Sequence, residues 1–144
     1  MDGFRGQRAF LSNFYSVDIE LDSEHYFSVE HAYQASKTLN PLRRKVIQAH
    51  PDPKVAKYEG NRVELRSNWN EIRVEVMKQL LRYKFFYHPD LATRLLDTGS
   101  EELVEVNDWG DLFWGTDRQG NGENTLGKLL MGIRSELQDS VEVS

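Results

Sequence analysis

NEIRVEVMKQLLRYKF, residues 70–85, decides the fold class. Ile72, Val76, Met77, Leu80 and Leu81 fall on one broad face at helical spacing with Glu, Arg and Lys opposite, so the stretch reads as a long amphipathic helix. Toward the C-terminus, His88-Pro89 and Gly99 bracket a shorter helix around LATRLLDT, and ELVEV (102–106) alternates as a short strand would. Leu126, Leu129, Leu130, Ile133 and Leu137 then recur at i, i+3, i+4, i+7 and i+11, the core stripe of a final helix. Toward the N-terminus, LRRKVIQA (42–49) is a short helix, and Asp52, Pro53 and Gly60 supply the N-cap, N1 proline and C′ glycine of another. Val29, Ala32 and Tyr33 mark a helix capped by Ser28 and stopped by Asn40-Pro41. Ahead of it, VDIEL (17–21), the Asp22-Ser23 break and His25-Tyr26-Phe27 read as a hairpin. The expectation is a mainly α, compact, single-domain multihelical fold with one or two short β elements, spanning 1–138, with a frayed tail at 139–144.

Composition narrows the function classes. With 144 residues, 39% apolar and 28% charged, the chain has the size and balance of one globular domain, and no apolar run reaches bilayer-spanning length. MDGFRGQRAF has no signal-peptide core and VEVS no lipidation signature, which makes a cytoplasmic location the expectation and a membrane partner not expected. The absence of cysteine excludes disulfides, thiol chemistry and thiolate-rich zinc sites. A net charge of −5 disfavours an extended nucleic-acid surface, since such surfaces depend on clustered Lys and Arg, but leaves room for a nucleotide-sized ligand. The histidines at 25, 31, 50 and 88 show no recognised metal spacing, and neither a metal nor a cofactor is expected.

Two regions could carry chemistry. In FSVEHAYQASK (27–37), Glu30, Gln34 and Lys37 lie at i, i+4 and i+7 and share a polar strip. An acidic residue in a first turn complements the helix dipole without any function; the same dipole also favours the ionised carboxylate, a group that stabilises cations or orients water. The second region is DWGDLFWGTDRQGNGENTLGK (108–128), with two Trp-Gly pairs and a glycine-rich loop running into the last helix. Its glycines either turn the chain or free the first helical amides for an anion, with Asn124 as cap. Gly127, in a first turn, points to close approach of a ligand or of another backbone. GENTLGK matches G-x-x-x-x-G-K, but Leu129 stands where magnesium needs Ser or Thr and no parallel sheet can follow, so a nucleoside-triphosphatase loop is rejected. Trp69 and Trp114 are either core residues or stacking platforms for a base.

FLSNFYS (10–16), SVEHAYQASK (28–37), LRSNWNEIRVEVM (65–77), GDLFWG (110–115) and ENTLGKLLMGIR (123–134), in that order, resemble the YbiA-like family, also called NADAR for its proposed link to NAD and ADP-ribose. The resemblance runs from about Phe4 to Leu137. It implies an N-glycosidase acting on ribosylamino-pyrimidine intermediates of riboflavin biosynthesis or on ADP-ribose attached to guanine, free or in nucleic acid. A noncatalytic sensor of NAD or ADP-ribose would share the same motifs. Carried over by position, Glu30 is the central catalytic candidate and Asp111 the second, either holding ribose hydroxyls, assisting proton transfer to the departing base, or merely turning the chain. Asn13, Phe14, Gln34, Lys37, Trp69, Trp114, Gly115 and Asn124 are the implied substrate-binding positions, with Lys37 and the start of the last helix expected to receive phosphates.

Overall fold

The computed structural model describes residues 3–143, which are mainly α with one small antiparallel sheet. A 3-10 turn at Gly6–Leu11 precedes β1 (Ile19–Leu21) and β2 (Glu24–Tyr26), followed by α1 (Val29–Ser36), α2 (Pro41–Ala49), α3 (Pro53–Gly60), α4 (Trp69–Phe86), α5 (Pro89–Leu96) and α6 (Thr125–Val143). The chain packs as two compact units, residues 13–84 and residues 3–12 with 85–143. No helix among the described residues is long and apolar enough to cross a membrane.

In the 13–84 unit, β1 and β2 pair with Ile19 opposite Tyr26 and Leu21 opposite Glu24. Asp22 and Ser23 form the two-residue turn with φ of 50° and 68°, the left-handed pair whose twist suits a tight hairpin. Each of the next three helices starts on a side-chain cap. Ser28 Oγ accepts from His31 N, Asn40 from Leu42 N and Arg43 N ahead of Pro41, and Asp52 from Lys54 N ahead of Pro53. Helix α1 packs against α2, α3 and both strands, and all eight of its residues are buried. The polar strip read from the sequence therefore lies inside the unit.

Gly60 differs from its expected role as the glycine beyond a helix end. It is the last residue of α3, and Asn61 closes the helix with its N–H on Lys57 O. Its missing side chain serves packing instead, because a Cβ there would stand 2.6 Å from Gln34 Cδ and 2.7 Å from Gln34 Cβ, so only glycine lets α3 lie this close to α1.

Helix α4 exceeds the stretch read from the sequence by one residue at each end. Met77, Leu80, Leu81 and Phe85 are buried while Ile72 and Val76 are only half-buried, so the buried face is rotated toward a residue that no apolar pattern marks, the fully buried Lys84. Each large apolar side chain so enclosed contributes about 1.5–3 kcal/mol.

In the other unit α5 packs on α6. Leu126, Leu130, Ile133 and Leu137 form the buried stripe, and the buried Arg134 donates to Thr98 Oγ1 at 2.8 Å just past the end of α5. Residues 102–106 do not form the expected strand. Only Val106 bridges Thr116, because the backbone of the segment is occupied otherwise: Glu105 N–H donates to the Asn124 side chain and Leu103 C=O accepts from it. Helix α6 continues through Val143, past the apolar stripe, so the tail expected to fray from 139 is helical over its described residues.

Candidate functional site

Glu30 sits in the first turn of α1, 8% exposed. Its N–H donates to Asn13 C=O at 3.0 Å, which ties the Ser-Asn-Phe segment to the start of the helix. One turn on, Gln34 Nε2 donates to Glu30 Oε1 at 3.2 Å. The other end of Gln34, Oε1, is buried without a hydrogen-bond partner and lies where a Gly60 side chain would be, so α3 fixes which end of the amide faces the carboxylate. Lys37 completes the strip from a half-buried position. Burial lowers its amine from the ordinary lysine value, Glu30 pulls it back up, and Lys57 pushes it down. Its Nζ lies 3.4 Å from Asn61 Oδ1 and 6.0 Å over the Tyr33 ring. The result is a buried carboxylate with one oriented donor and a partly desolvated cation on the same helix face.

Asn13, Phe14 and Trp69 are the other nominated residues of this unit. Asn13 Nδ2 points at Met77 Sδ at 3.6 Å, a weak acceptor, and Asn13 Oδ1 is buried with no partner. Phe14 is half-buried. Trp69 is 4% exposed with its ring 5.2 Å from that of Tyr33, so its indole is built into the core beside α1. His31, next to Glu30 in sequence, has a structural task. Its Nε2 lies 2.7 Å from His50 O and must donate, so Nδ1 accepts from Ser28 O–H at 2.7 Å, while Ser28 Oγ accepts His31 N–H. Burial lowers the imidazole below the ordinary histidine value, with the His50 carbonyl bond and Asp52 opposing it. This neutral tautomer locks the N-terminus of α1 to the chain ahead of α3.

Asp111, Trp114, Gly115 and Asn124 belong to the other unit. Asp111 Oδ1 accepts from Phe113 N at 3.1 Å and Trp114 N at 2.9 Å, while its own N–H and C=O are bracketed by the Asn107 amide. Its carboxylate therefore folds the Trp-Gly loop. Trp114 is half-buried and meets Phe113 edge-on at 4.9 Å. Asn124 adopts φ 52° and accepts from Lys128 N through its backbone, while its side chain spans Leu103 O and Glu105 N. The helix start expected to hold an anion is already satisfied, because Thr125 N–H donates to Phe113 O and Leu126 N–H to Trp114 O. Of the two partners expected for Gly127, the structure shows a backbone: a Cβ there would run into Leu103 O and stand 2.5 Å from Asn124 Oδ1.

These motifs match a family model, the NADAR domain, over residues 4–138. The chain belongs to the NADAR domain family. It is 39% identical over 129 residues to the N-glycosidase YbiA of Shigella boydii, covering 88% of this chain and 80% of that protein. It is 33% identical over 139 residues to the N-glycosidase Npun_R5314 of Nostoc punctiforme, covering 93% of this chain and 88% of that one. A riboflavin biosynthesis protein of Vibrio vulnificus is 39% identical over 132 residues, but this NADAR chain spans only 36% of its length. The NMR structure of the Escherichia coli protein YbiA has the same fold, with a TM-score of 0.84 at 34% identity over 96% of this chain and 84% of that one.

Two ionisable groups of this NADAR chain escaped the sequence reading. Lys84 is 0% exposed, its amine pushed down by burial to about 7, with Nζ 5.5 Å over the Tyr15 ring. Its signal was present: it follows Met77 by seven positions and Leu80 by four, a cation on the core face of α4. Glu105 is half-buried, and burial pushes its carboxyl up to about 7, with Arg5 opposing and Asp111 reinforcing the shift. The ELVEV alternation presents it as an ordinary outward residue of a strand and hides it.

Proposed function

We propose that this protein is an N-glycosidase that hydrolyses an N-ribosyl bond, with ADP-ribose on guanine, free or in nucleic acid, as the leading substrate and a ribosylamine metabolite as the second. The observation that carries the reading is Glu30, a carboxylate on a helix buried on every side, with an oriented amide donor and a lysine of lowered basicity on the same face. Cleaving a ribosyl C–N bond places positive charge on the ribose ring in an oxocarbenium-like transition state. Glu30 meets that charge, and in a site shielded from water a preorganised carboxylate stabilises it far more than an exposed one would. The unpartnered Asn13 Oδ1 is an acceptor suited to a ribose hydroxyl. Lys37 takes the anionic part of the substrate. The relatives named N-glycosidase support the reaction class, and those named for riboflavin biosynthesis support a ribosylamine as substrate.

The test incubates the purified protein and its Glu30→Gln variant with ADP-ribosylated guanosine and with a ribosylamino-pyrimidine, following released base by chromatography. Turnover of one substrate by the unaltered protein and a loss of about 10²–10⁴-fold in the variant is the expected result. Binding without turnover in both proteins would instead support the noncatalytic sensor. Equal turnover would remove Glu30 from the mechanism.

A further inference from the structure

The alternation of ELVEV (102–106) separates two faces within the unit formed by residues 3–12 and 85–143. Leu103 goes into the core at 1% exposed, while Glu102, Val104 and Val106 line a cavity of about 410 Å³. At the start of α6, Asn124, Lys128 and Met131 line the same cavity at i, i+4 and i+7, a face separate from the buried stripe of Leu126, Leu130, Ile133 and Leu137. The glycine-rich loop supplies the third side. Gly122, at φ 130°, folds it back onto residue 116, where any Cβ would stand 2.9 Å from Thr116 Cα. Every lining residue falls within 102–131, so the cavity is built inside one unit and shares no residue with the Glu30 strip.

Val104, Val106 and Met131 give the cavity an apolar wall, and the thioether suits the face or edge of an aromatic ring. Two of its charged side chains are engaged within the loop. Asp117 Oδ1 accepts from Gln119 N at 3.0 Å and Asn121 N at 2.9 Å, and Arg118 holds Asp108 through bonds of 2.8 and 2.9 Å. Glu102, Glu123 and Lys128 are exposed and form no hydrogen bond or ion pair among the described residues. Thr116 is 5% exposed, and its Oγ1 is buried without a hydrogen-bond partner. A buried hydroxyl is ordinarily paired, so this one marks a polar demand that the fold itself leaves unmet. We propose that this cavity binds a heterocycle of nucleobase type that carries both an amino and an oxo group. The carboxylates of Glu102 and Glu123 accept from its N–H donors, Lys128 donates to its oxo group, and the ring lies on Val104, Val106 and Met131. Two acceptors against one cationic donor select a ring richer in N–H than an oxo-only ring, while Lys128 disfavours a plain organic cation. The volume is that of a small-molecule site, about 300–1,000 Å³. This binding goes beyond the N-glycosidase reading, since it needs no turnover.

The test titrates the full chain with guanosine and cytidine, which carry both groups, and with inosine and uridine, which lack the amino group, and follows backbone amide shifts by NMR. Guanosine and cytidine should shift the amides of 102–106, 116–118 and 124–131, and the affinity read from those shifts should exceed that of inosine and uridine. Glu102→Gln, Glu123→Gln and Lys128→Gln, all at exposed positions, should keep the fold and each weaken guanosine binding about ten- to hundredfold, the effect of one hydrogen bond to a charged group. Equal affinity for all four nucleosides, tighter binding of spermidine than of guanosine, or variants that bind as the unaltered protein does would overturn the assignment. So would shifts confined to residues 13–84, or no shift with any nucleoside at millimolar concentration. None of these outcomes bears on turnover at Glu30, which the ribosylated substrates test separately, so the two readings fail independently.

Discussion

Gly60→Ala should destabilise this protein and slow it, although a helical glycine replaced by alanine normally stabilises by about 0.5–1 kcal/mol. The new Cβ would lie 2.6 Å from Gln34 Cδ and 2.7 Å from Gln34 Cβ, both well inside contact distance, so Gln34 must swing away and α3 must back off from α1. Overpacking of this kind costs about 1–3 kcal/mol. The displaced amide also abandons its 3.2 Å bond to the Glu30 carboxylate, a further cost of about 1–3 kcal/mol. Set against the intrinsic gain, the net loss in urea unfolding should be about 2–4 kcal/mol. With Glu30 in its proposed role, oriented by Gln34, kcat of the N-glycosidase should fall about ten- to hundredfold, the equivalent of one hydrogen bond to a charged group. The decisive assay is a double-mutant cycle with Gln34→Ala. That change removes the Cδ contact and keeps only the 2.7 Å Cβ contact, so Gly60→Ala should cost at least about 1 kcal/mol less in its presence. Additivity within about 0.5 kcal/mol, or a stabilised single variant with normal kcat, would refute the packing argument.

Three further outcomes follow from the same geometry. The lowered imidazole of His31 keeps the folded state neutral, so its stabilisation is complete above the unfolded value of 6.5 and drains away as pH falls through that value toward the lower folded one. His31→Gln should cost about 1–3 kcal/mol at pH 8 and flatten the acid limb in urea melts between pH 5 and 7. Glu105 works in the opposite sense. Its folded carboxyl is raised from 4.5 to about 7, so the penalty is absent below 4.5, grows as pH rises and is complete above 7. Glu105→Gln should therefore be more stable than the unaltered protein at pH 8 by about 1–2 kcal/mol, allowing for partial solvent screening, with the difference vanishing near pH 4. Gly127→Ala brings a side chain onto Leu103 O and within 2.5 Å of Asn124 Oδ1, and thermal melts should show a loss of about 1–3 kcal/mol.

Periodicity and capping residues made most helices legible. Ser28 and Asp52-Pro53 start α1 and α3 as read, Asn40-Pro41, read as the stop of the helix before it, caps α2, and the apolar stripe of 126–137 lies on α6, because these signals act within one or two turns. The hairpin was legible for the same reason, its turn requiring two left-handed residues in succession. Failures came where a local pattern was answered by a distant backbone. ELVEV alternates like a strand, but the groups that meet it are the Asn124 amide and Thr116, which no window around 102–106 contains. The same holds for the free amides expected at the start of α6, which the carbonyls of Phe113 and Trp114 take up. Of the candidate site, Glu30 and Gln34 were legible as a strip, but their enclosure was not: helical spacing shows which residues share a face, while α2, α3 and the hairpin decide whether that face meets water.

That enclosure is what argues for chemistry at α1. A helix with eight buried residues would be satisfied by apolar side chains at 30 and 34, since buried polar pairs replaced by packed hydrophobic groups of similar volume are commonly neutral or stabilising. Glu30 and Gln34 instead impose further demands. Residue 60 must lack a side chain, Gln34 must leave Oε1 without a hydrogen bond, and Lys37 must hold its charge in a partly desolvated place. None of these stabilises the fold, and all three keep one donor and one cation on the face of one carboxylate. Raised Glu105 and buried Lys84 repeat the pattern in their own units, each an ionisable group whose charged form the fold opposes. Groups held against their solvation preference retain the protonation states that reaction chemistry uses near neutral pH, and the stability given up at these positions makes them the candidates for mutagenesis.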